Sequence, residues 1–151
     1  KGEFAGKRFE LEPFQEFKLY VLFGWYKKDG TRRFKTAYNE IPRKNGKTTE
    51  SAGVGLYLLT GDGESGAEVY AAATKKDQAK IAFSEAKNMT NKSEFLRKYL
   101  KTSTNNISFE ATLSKMEPLA SDSNTLDGLN VHGAIIDELH AHKTSEVVDL
   151  L

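Results

Sequence analysis

The sequence predicts an α/β fold in which helices cover both faces of a mostly parallel sheet. Two short apolar runs, at 67–73 and 133–136, have the length and composition of buried parallel strands. Stretches with helical spacing of apolar residues separate the predicted strands, so the two types of element alternate along the chain. Sheets of this kind bind ligands at the carboxyl ends of their strands. The 151 residues suffice for one such domain with a substantial core.

Each further element is predicted from a local pattern. Residues 34–41, FKTAYNEI, are predicted to form a strand that enters a loop. After this loop, Ala52, Leu56 and Leu59 recur at helical intervals until the glycines at 61–63 end the segment. The remaining predicted elements are a helix from 77 to about 87, a short helix at 93–101, a strand at 107–111 and a helix from about 144.

The charge is distributed unevenly along the chain. Residues 1–48 contain 12 Lys/Arg and 6 Asp/Glu, a balance of +6, whereas the remaining residues contain 10 and 15, a balance of −5. A basic half favours a polyanionic partner, although a solvated basic surface explains the charge equally well. The absence of cysteine excludes disulfides and thiolate metal sites. No apolar run approaches the roughly 20 residues of a membrane span.

The segment 41–51, IPRKNGKTTES, ends like a phosphate-binding loop but lacks the leading glycine, because Ile41 occupies that position. In such loops backbone N–H groups and a helix N-terminus point at the anion. A lysine reaches the outer phosphates, and a Ser/Thr hydroxyl binds Mg²⁺. Gly46, Lys47 and Thr48 fit these roles. A basic turn that merely caps the following helix is the alternative that the tripeptide leaves open.

Two further cations, Arg43 and Lys44, lie inside the same loop. Neighbouring cations repel one another unless an anion lies between them. The cluster therefore favours a triphosphate as the ligand.

Two carboxylates, Asp137 and Glu138, follow the apolar run at 134–136. ATP hydrolysis needs one carboxylate to hold Mg²⁺ and a second to orient or deprotonate the attacking water. We therefore assign Asp137 to the metal and Glu138 to the water, with ATP and Mg²⁺ as cofactors. Because the contacts of the helix terminus and Lys47 to phosphate would survive, we expect replacement of either carboxylate by its amide to leave metal-free nucleotide binding nearly unchanged.

Three histidines suggest a competing interpretation of the same strand end. With Asp137, the side chains of His132, His140 and His142 could form a zinc or iron centre, since His-x-His on an extended segment can chelate a metal. Such a centre would leave residues 46–48 without a role. Hydrogen-bonding histidines on the loop after the strand are therefore the favoured interpretation.

Taken together, these motifs resemble the ATPase domain of phage large terminases, the motors that pump DNA into empty capsids. Residues 42–48 resemble the family's altered phosphate loop, which has an early basic residue and no leading glycine. Residues 134–142, AIIDELHAH, resemble the acidic strand end of a large subfamily of tailed-phage and prophage proteins. Residues 11–17, LEPFQEF, followed by LFGW at 22–25, resemble the family's adenine-reading segment.

The resemblance implies a RecA-like P-loop NTPase fold of the ASCE type and a role for each matching residue. Gln15 would hydrogen-bond the adenine edge, Phe14 would contribute apolar contact, and Arg43 would sense or stabilise the γ-phosphate. The residues implied are Glu138, Lys47 and Arg43 for catalysis, Thr48 and Asp137 for the metal, and Gln15, Phe14, Pro42, Arg43, Lys44, Asn45, Gly46, Lys47, Thr48 and Thr49 for the nucleotide.

The resemblance also implies a domain context and partners. It covers residues 1–151 as the N-terminal ATPase domain of a terminase large subunit, ending before the coupling motif and the nuclease domain. Double-stranded viral DNA, the small terminase subunit and the portal protein would be its partners, in a homo-oligomeric ring in the cytoplasm of the bacterial host, with no membrane involved. Residues 121–128 lack the arginine found there in many relatives, so Arg97 is a candidate for acting on a neighbouring subunit's nucleotide.

Other functions share parts of this pattern. A RecA-like helicase or another DNA-dependent ATPase would use the same loop and acidic strand end. A non-ATPase DNA-binding module would instead place Arg43, Lys44 and Lys47 on the phosphates of nucleic acid.

Overall fold

The computed structural model describes residues 9–73, 76–120 and 129–139. The chain forms two compact units, Lys1–Arg43 and Lys44–Leu151. The predicted helix from about residue 144 lies outside the described residues, as do His140 and His142. Within the described parts of the chain, no helix has the length and apolar character required to cross a membrane.

The first unit contains one helix, α1 (Pro13–Gly24), among its described residues. Proline suits the first helical position because its φ is fixed and its missing N–H has no helical partner there. The Gln15 side chain accepts a hydrogen bond from the Glu12 N–H at 2.9 Å, which satisfies a donor at the helix N-terminus. This helix was not among the elements predicted from the sequence.

The predicted strand at 34–41 is wrong, because the structure has no strand there. Residues 34–40 are exposed, and Lys35, Asn39 and Glu40 are polar or charged. A strand inside a parallel sheet must be apolar on both faces, which this segment is not.

The second unit is built on a sheet with the strand order β2-β3-β4-β1-β5 in the described part of the chain. β1 pairs in parallel with β4 and β5, while β3 pairs antiparallel with β2 and β4. The mostly parallel α/β sheet confirms the predicted fold class. The strands are β1 (Glu68–Ala73), β2 (Leu100–Thr102), β3 (Ile107–Phe109), β4 (Ser114–Ala120) and β5 (Val131–Ile136).

Two helices, α2 (Lys47–Thr60) and α3 (Lys76–Lys92), pack against each other and against β1 and β4. Glycine permits the close approach of α2: a Cβ added at Gly55 would lie 2.7 Å from Met116 Cε, and one at Gly133 would lie 2.6 Å from Leu58 Cδ1. Such distances are shorter than real contacts, so a side chain at either glycine would require the end of the Met116 or Leu58 side chain to move.

The remaining predictions are partly confirmed. The predicted short helix at 93–101 is α4 (Glu94–Tyr99), after which the chain enters β2 at once. The predicted strand at 107–111 is β3, followed by a 3-10 turn at Glu110–Thr112. β4 was not predicted.

Candidate active site

The candidate site lies where the parallel neighbours β1 and β5 end. The Asp137 N–H donates to the Ala72 carbonyl at 3.0 Å, so strand pairing continues one residue beyond β5 and fixes Asp137 at the strand end. Glu138 then adopts a φ of 52°, in the left-handed region that residues with a Cβ rarely occupy. Its N–H donates to Asp137 Oδ1 at 3.0 Å. The acid pair therefore lies on a sharp turn directly after the strand.

The loop before α2 contains two left-handed residues, Lys44 with a φ of 69° and Gly46 with a φ of 74°. Gly46 is the N-cap of α2, and its carbonyl accepts the first helical hydrogen bond from the Glu50 N–H at 2.9 Å. Turns of this type form concave backbone surfaces whose N–H groups bind anions. The first N–H groups of the helix add further donors and a favourable dipole.

Lys47 joins this loop to the acid pair. Its Nζ lies 2.7 Å from Asp137 Oδ1 and 3.5 Å from Glu138 Oε1. The hydrogen bond to Asp137 raises the pKa of the lysine, so its ammonium stays charged at neutral pH. The Lys47 side chain is 36% exposed and that of Asp137 is 24% exposed, so a ligand from solvent can reach both. The structure thus brings together three residues that the sequence assigned to different roles.

Three other predicted residues of the second unit lie close to Lys47 in the sequence. Thr48 and Thr49 are half-buried on the first turn of α2, and Asn45 is exposed in the loop. The hydroxyl of Thr48 and the carboxylate of Asp137 are hard oxygen donors, the chemistry that Mg²⁺ prefers.

Sequence reasoning overlooked Glu50, a buried carboxylate on the first turn of α2 that is only 6% exposed. An acidic residue in a first helical turn interacts favourably with the helix dipole, and this position was the available signal.

Four predicted nucleotide-binding residues belong to the first unit. Phe14 is 48% exposed, whereas Gln15 is only 2% exposed and its side-chain oxygen caps α1. Pro42 and Arg43 are exposed at the end of this unit and precede Lys44 directly in the chain. The structure therefore gives Gln15 a structural role that the sequence did not indicate.

The structure separates His132 from Asp137, so these two residues cannot share the alternative metal centre; His140 and His142, its other proposed ligands, lie outside the described residues. The Nε2 atom of His132 lies 2.7 Å from Asp62 Oδ2, beside the turn that follows α2. His132 is near the start of β5, and Asp137 follows its end. Five residues at about 3.3 Å each separate the two by roughly 16 Å, too far for one metal ion to bridge.

Comparisons with known proteins agree with this architecture. The crystal structure of the large terminase of bacteriophage HK97 superposes with a TM-score of 0.81 and 26% sequence identity. The match covers 95% of this chain but only 30% of that chain. No curated protein sequence matches the chain. The family model of the terminase large subunit ATPase domain matches residues 13–151. The chain belongs to this family of terminase large subunit ATPase domains.

Proposed function

We propose that this domain binds Mg-ATP and hydrolyses it to drive the translocation of viral DNA into a procapsid. The observation that carries the proposal is the cluster of Lys47, Asp137 and Glu138 between the start of α2 and the end of β5. Membership of the terminase ATPase family supports ATP hydrolysis as the activity. The fold shared with a phage large terminase supports packaging as its purpose.

Nucleotide binding begins, in this proposal, at the loop before α2. The backbone of Lys44 and Gly46 and the first turn of the helix accept the phosphates. Lys47 then leaves Asp137 and pairs with the β- and γ-phosphates. Arg43, next to Lys44 in the chain, adds a second positive charge for the γ-phosphate. In the first unit, Gln15 and the exposed ring of Phe14 are the groups proposed to contact adenine.

Hydrolysis then depends on the acid pair. Thr48 and Asp137 are the residues that would hold Mg²⁺, which when bound would offset the charge that develops on the phosphates. Glu138 accepts a proton from water as the water oxygen forms a bond to the γ-phosphorus. The bond from that phosphorus to the bridging oxygen breaks, and ADP leaves. Because Lys47 leaves Asp137 when nucleotide binds, Asp137 would be available to hold Mg²⁺ before the chemical step.

The partners of this domain follow from its family. We propose double-stranded DNA as the translocated substrate, and the portal protein and small terminase subunit as assembly partners in a homo-oligomeric ring. The host cytoplasm is the compartment in which such assembly would occur. A trans-acting arginine from a neighbouring copy would complete the site.

Replacing Lys47 with Ala should abolish hydrolysis, because this lysine is the cation placed to leave the acids for the phosphates. Phosphate release is measured under single-turnover conditions, with protein in excess. Glu138→Gln should bind ATP in a magnesium-dependent manner but turn over about 100-fold more slowly or worse, since it retains the shape of the residue and loses the base. Lys101→Ala is the matched control: Lys101 pairs with Glu110 at 2.6 Å, away from the acid pair.

Unchanged hydrolysis in Lys47→Ala would end the nucleotide proposal. Salt-sensitive DNA binding in a protein that binds no nucleotide would favour the DNA-binding module instead.

A further inference from the structure

We propose that α4 and its flanking cations form a DNA-binding surface distinct from the candidate active site. This surface, called the α4 patch, consists of Lys92, Phe95, Arg97, Lys98 and Tyr99. The inference rests on the proposed function for its choice of DNA among polyanions. Its test below uses no nucleotide, so that it can fail or succeed independently of ATP hydrolysis.

The first observation is a pair of aromatic rings in solvent. Phe95 is 67% exposed and Tyr99 is 53% exposed. The two residues lie one helical turn apart, and their ring centroids are 5.2 Å apart with an interplanar angle of 58°. Aromatic side chains normally bury most of their large apolar surface. A contiguous exposed pair provides apolar surface that a partner can cover.

The second observation is the local charge. Residues 87–101 contain five Lys/Arg and one Glu, a balance of +4. The rest of the chain after residue 48, namely 49–86 and 102–151, contains five Lys/Arg and fourteen Asp/Glu, a balance of −9. Lys92, Arg97 and Lys98 are exposed. The α4 patch thus carries three exposed cations beside one exposed acid, Glu94, and it complements a polyanion.

The third observation is that local contacts hold this short helix in place. The Ser93 hydroxyl caps it by accepting from the Leu96 N–H at 3.2 Å, and Leu100 directly after it is 4% exposed. The Thr102 hydroxyl donates to Asn91 Oδ1 at 3.0 Å, which joins β2 to the end of α3. A surface ordered before binding loses less conformational entropy when it binds.

These groups match the chemistry of a DNA strand. Guanidinium and ammonium groups bind phosphate oxygens, and aromatic rings stack on bases or pack on deoxyribose. The deoxyribose-phosphate backbone is common to duplex and single-stranded DNA, so both are tested.

The α4 patch is also far from the candidate active site. α4 contacts β2, which lies at the opposite end of the sheet from β5 in the described part of the chain. Four inter-strand steps of about 4.8 Å place β2 roughly 19 Å from β5. DNA and nucleotide therefore need not compete for the same groups.

The test is fluorescence anisotropy of the unmodified chain and its variants with a labelled 20-base-pair duplex and a single strand of the same length. Titrations are performed at several salt concentrations without nucleotide. Arg97→Ala/Lys98→Ala should weaken DNA binding about tenfold. The slope of log K against log salt concentration should become shallower by about two, since each lost phosphate contact removes about 0.9 from that slope. Phe95→Ala/Tyr99→Ala should weaken binding several-fold, more for the single strand, with the slope unchanged.

The matched control is Lys27→Ala/Lys28→Ala, which removes two adjacent exposed cations from the first unit. The loss of DNA affinity in this control should be less than a third of the loss caused by Arg97→Ala/Lys98→Ala. An equal loss, or undiminished DNA binding by Arg97→Ala/Lys98→Ala, would overturn the proposal. So would an effect of Phe95→Ala/Tyr99→Ala on self-association alone, because the occupant would then be a second copy of the chain.

Hydrogen exchange on the unmodified protein gives a measurement that no folding defect of a variant can disturb. Addition of the duplex or the single strand should slow exchange at 93–101. Protection elsewhere in the second unit with none at 93–101 would overturn the assignment.

Discussion

Replacing Asp137 with Asn should increase the affinity of the protein for ATP when magnesium is absent. Lys47 must leave Asp137 Oδ1, 2.7 Å from its Nζ, before it can pair with phosphate. Nucleotide binding therefore competes with an ion pair inside the site. The sequence alone suggested that metal-free binding would be indifferent to this carboxylate, and the ion pair reverses that expectation.

The magnitude follows from the geometry of the pair. Two unit charges at this distance attract each other by about 1.5 kcal/mol in water, and more where protein excludes solvent. Exposed pairs retain about 0.2–1 kcal/mol after the entropy of holding both side chains is counted. The Lys47–Asp137 pair is partly exposed, so a value of about 1 kcal/mol is appropriate. Its removal should tighten metal-free ATP binding about fivefold.

Glu138→Gln is the matched control, because it removes the same charge from the adjacent residue. Its Oε1 atom lies 3.5 Å from Lys47 Nζ, beyond a strong hydrogen bond, so the gain should be about half as large in free energy. Equilibrium binding of a fluorescent ATP analogue in EDTA measures both variants. The same titrations with Mg²⁺ should show the opposite order, with Asp137→Asn losing more of the magnesium-dependent affinity.

A double-mutant cycle identifies the cause of the gain. Loss of any carboxylate near the phosphates also reduces repulsion, which does not require Lys47. In a Lys47→Ala background, Asp137→Asn should therefore produce only this smaller effect. If the full gain persists without the lysine, or if Asp137→Asn alone fails to tighten metal-free binding, the competition between carboxylate and phosphate is refuted.

Two further predictions concern the backbone at the loop and at α1. The free energy of unfolding of Lys44→Gly should be about 1 kcal/mol higher than that of Lys44→Ala. Both variants remove the cation, but only glycine adopts the φ of 69° without strain. Equal denaturant midpoints of the two variants would refute this. Gln15→Ala should lower the free energy of unfolding by about 1 kcal/mol, since the side-chain oxygen caps α1, and it should also reduce the preference for ATP over GTP. Equal affinities for ATP and GTP in the unmodified protein would exclude Gln15 as an adenine reader, and unchanged stability of the variant would contradict the cap.

The elements predicted correctly are those whose local pattern and tertiary setting agree. The apolar run of β1 is buried on both faces, and the helical spacing after the loop is that of α2. The rule for strand carboxyl ends placed Asp137 correctly at the end of β5, but the strand expected before Lys47 does not form. The start of α2 carries Lys47 to the acid pair instead, although 90 positions separate Lys47 from Asp137. The rule says nothing about side chains, so the ion pair between them was not foreseeable.

α1 was missed because its apolar side chains do not mark a buried face. Phe17 and Tyr20 are 71% and 72% exposed, while the polar Gln15 is buried. The periodicity that indicates an amphipathic helix depends on apolar residues pointing inward. Here that relation is reversed.

β4 was missed because charged residues and a proline interrupt it. Lys115 Nζ lies 3.3 Å from Glu117 Oε2 and 3.5 Å from Glu68 Oε1 on the neighbouring strand, so the charges compensate one another. Pro118 lies beyond the three residues of β4 that pair with β3. At that point β4 pairs only with β1 among the described residues, and the missing N–H can lie on the other side. The compensation by Glu68 and the pairing of Pro118 with β1 both depend on residues that are distant in sequence.

In the proposed mechanism, the ion pair between Lys47 and Asp137 couples the binding of ATP to the binding of magnesium. When Lys47 moves to the phosphates, Asp137 and Glu138 lose the cation 2.7 and 3.5 Å away, and two carboxylates are left close together. A divalent cation held by Asp137 would replace that charge, so nucleotide binds at the full strength of its lysine contact only when the metal binds too. Such coupling is reciprocal, and ATP must raise the affinity for magnesium by the same factor. Because Lys47 pairs with the two carboxylates until nucleotide binds, the site favours the magnesium complex of ATP over ATP or magnesium alone.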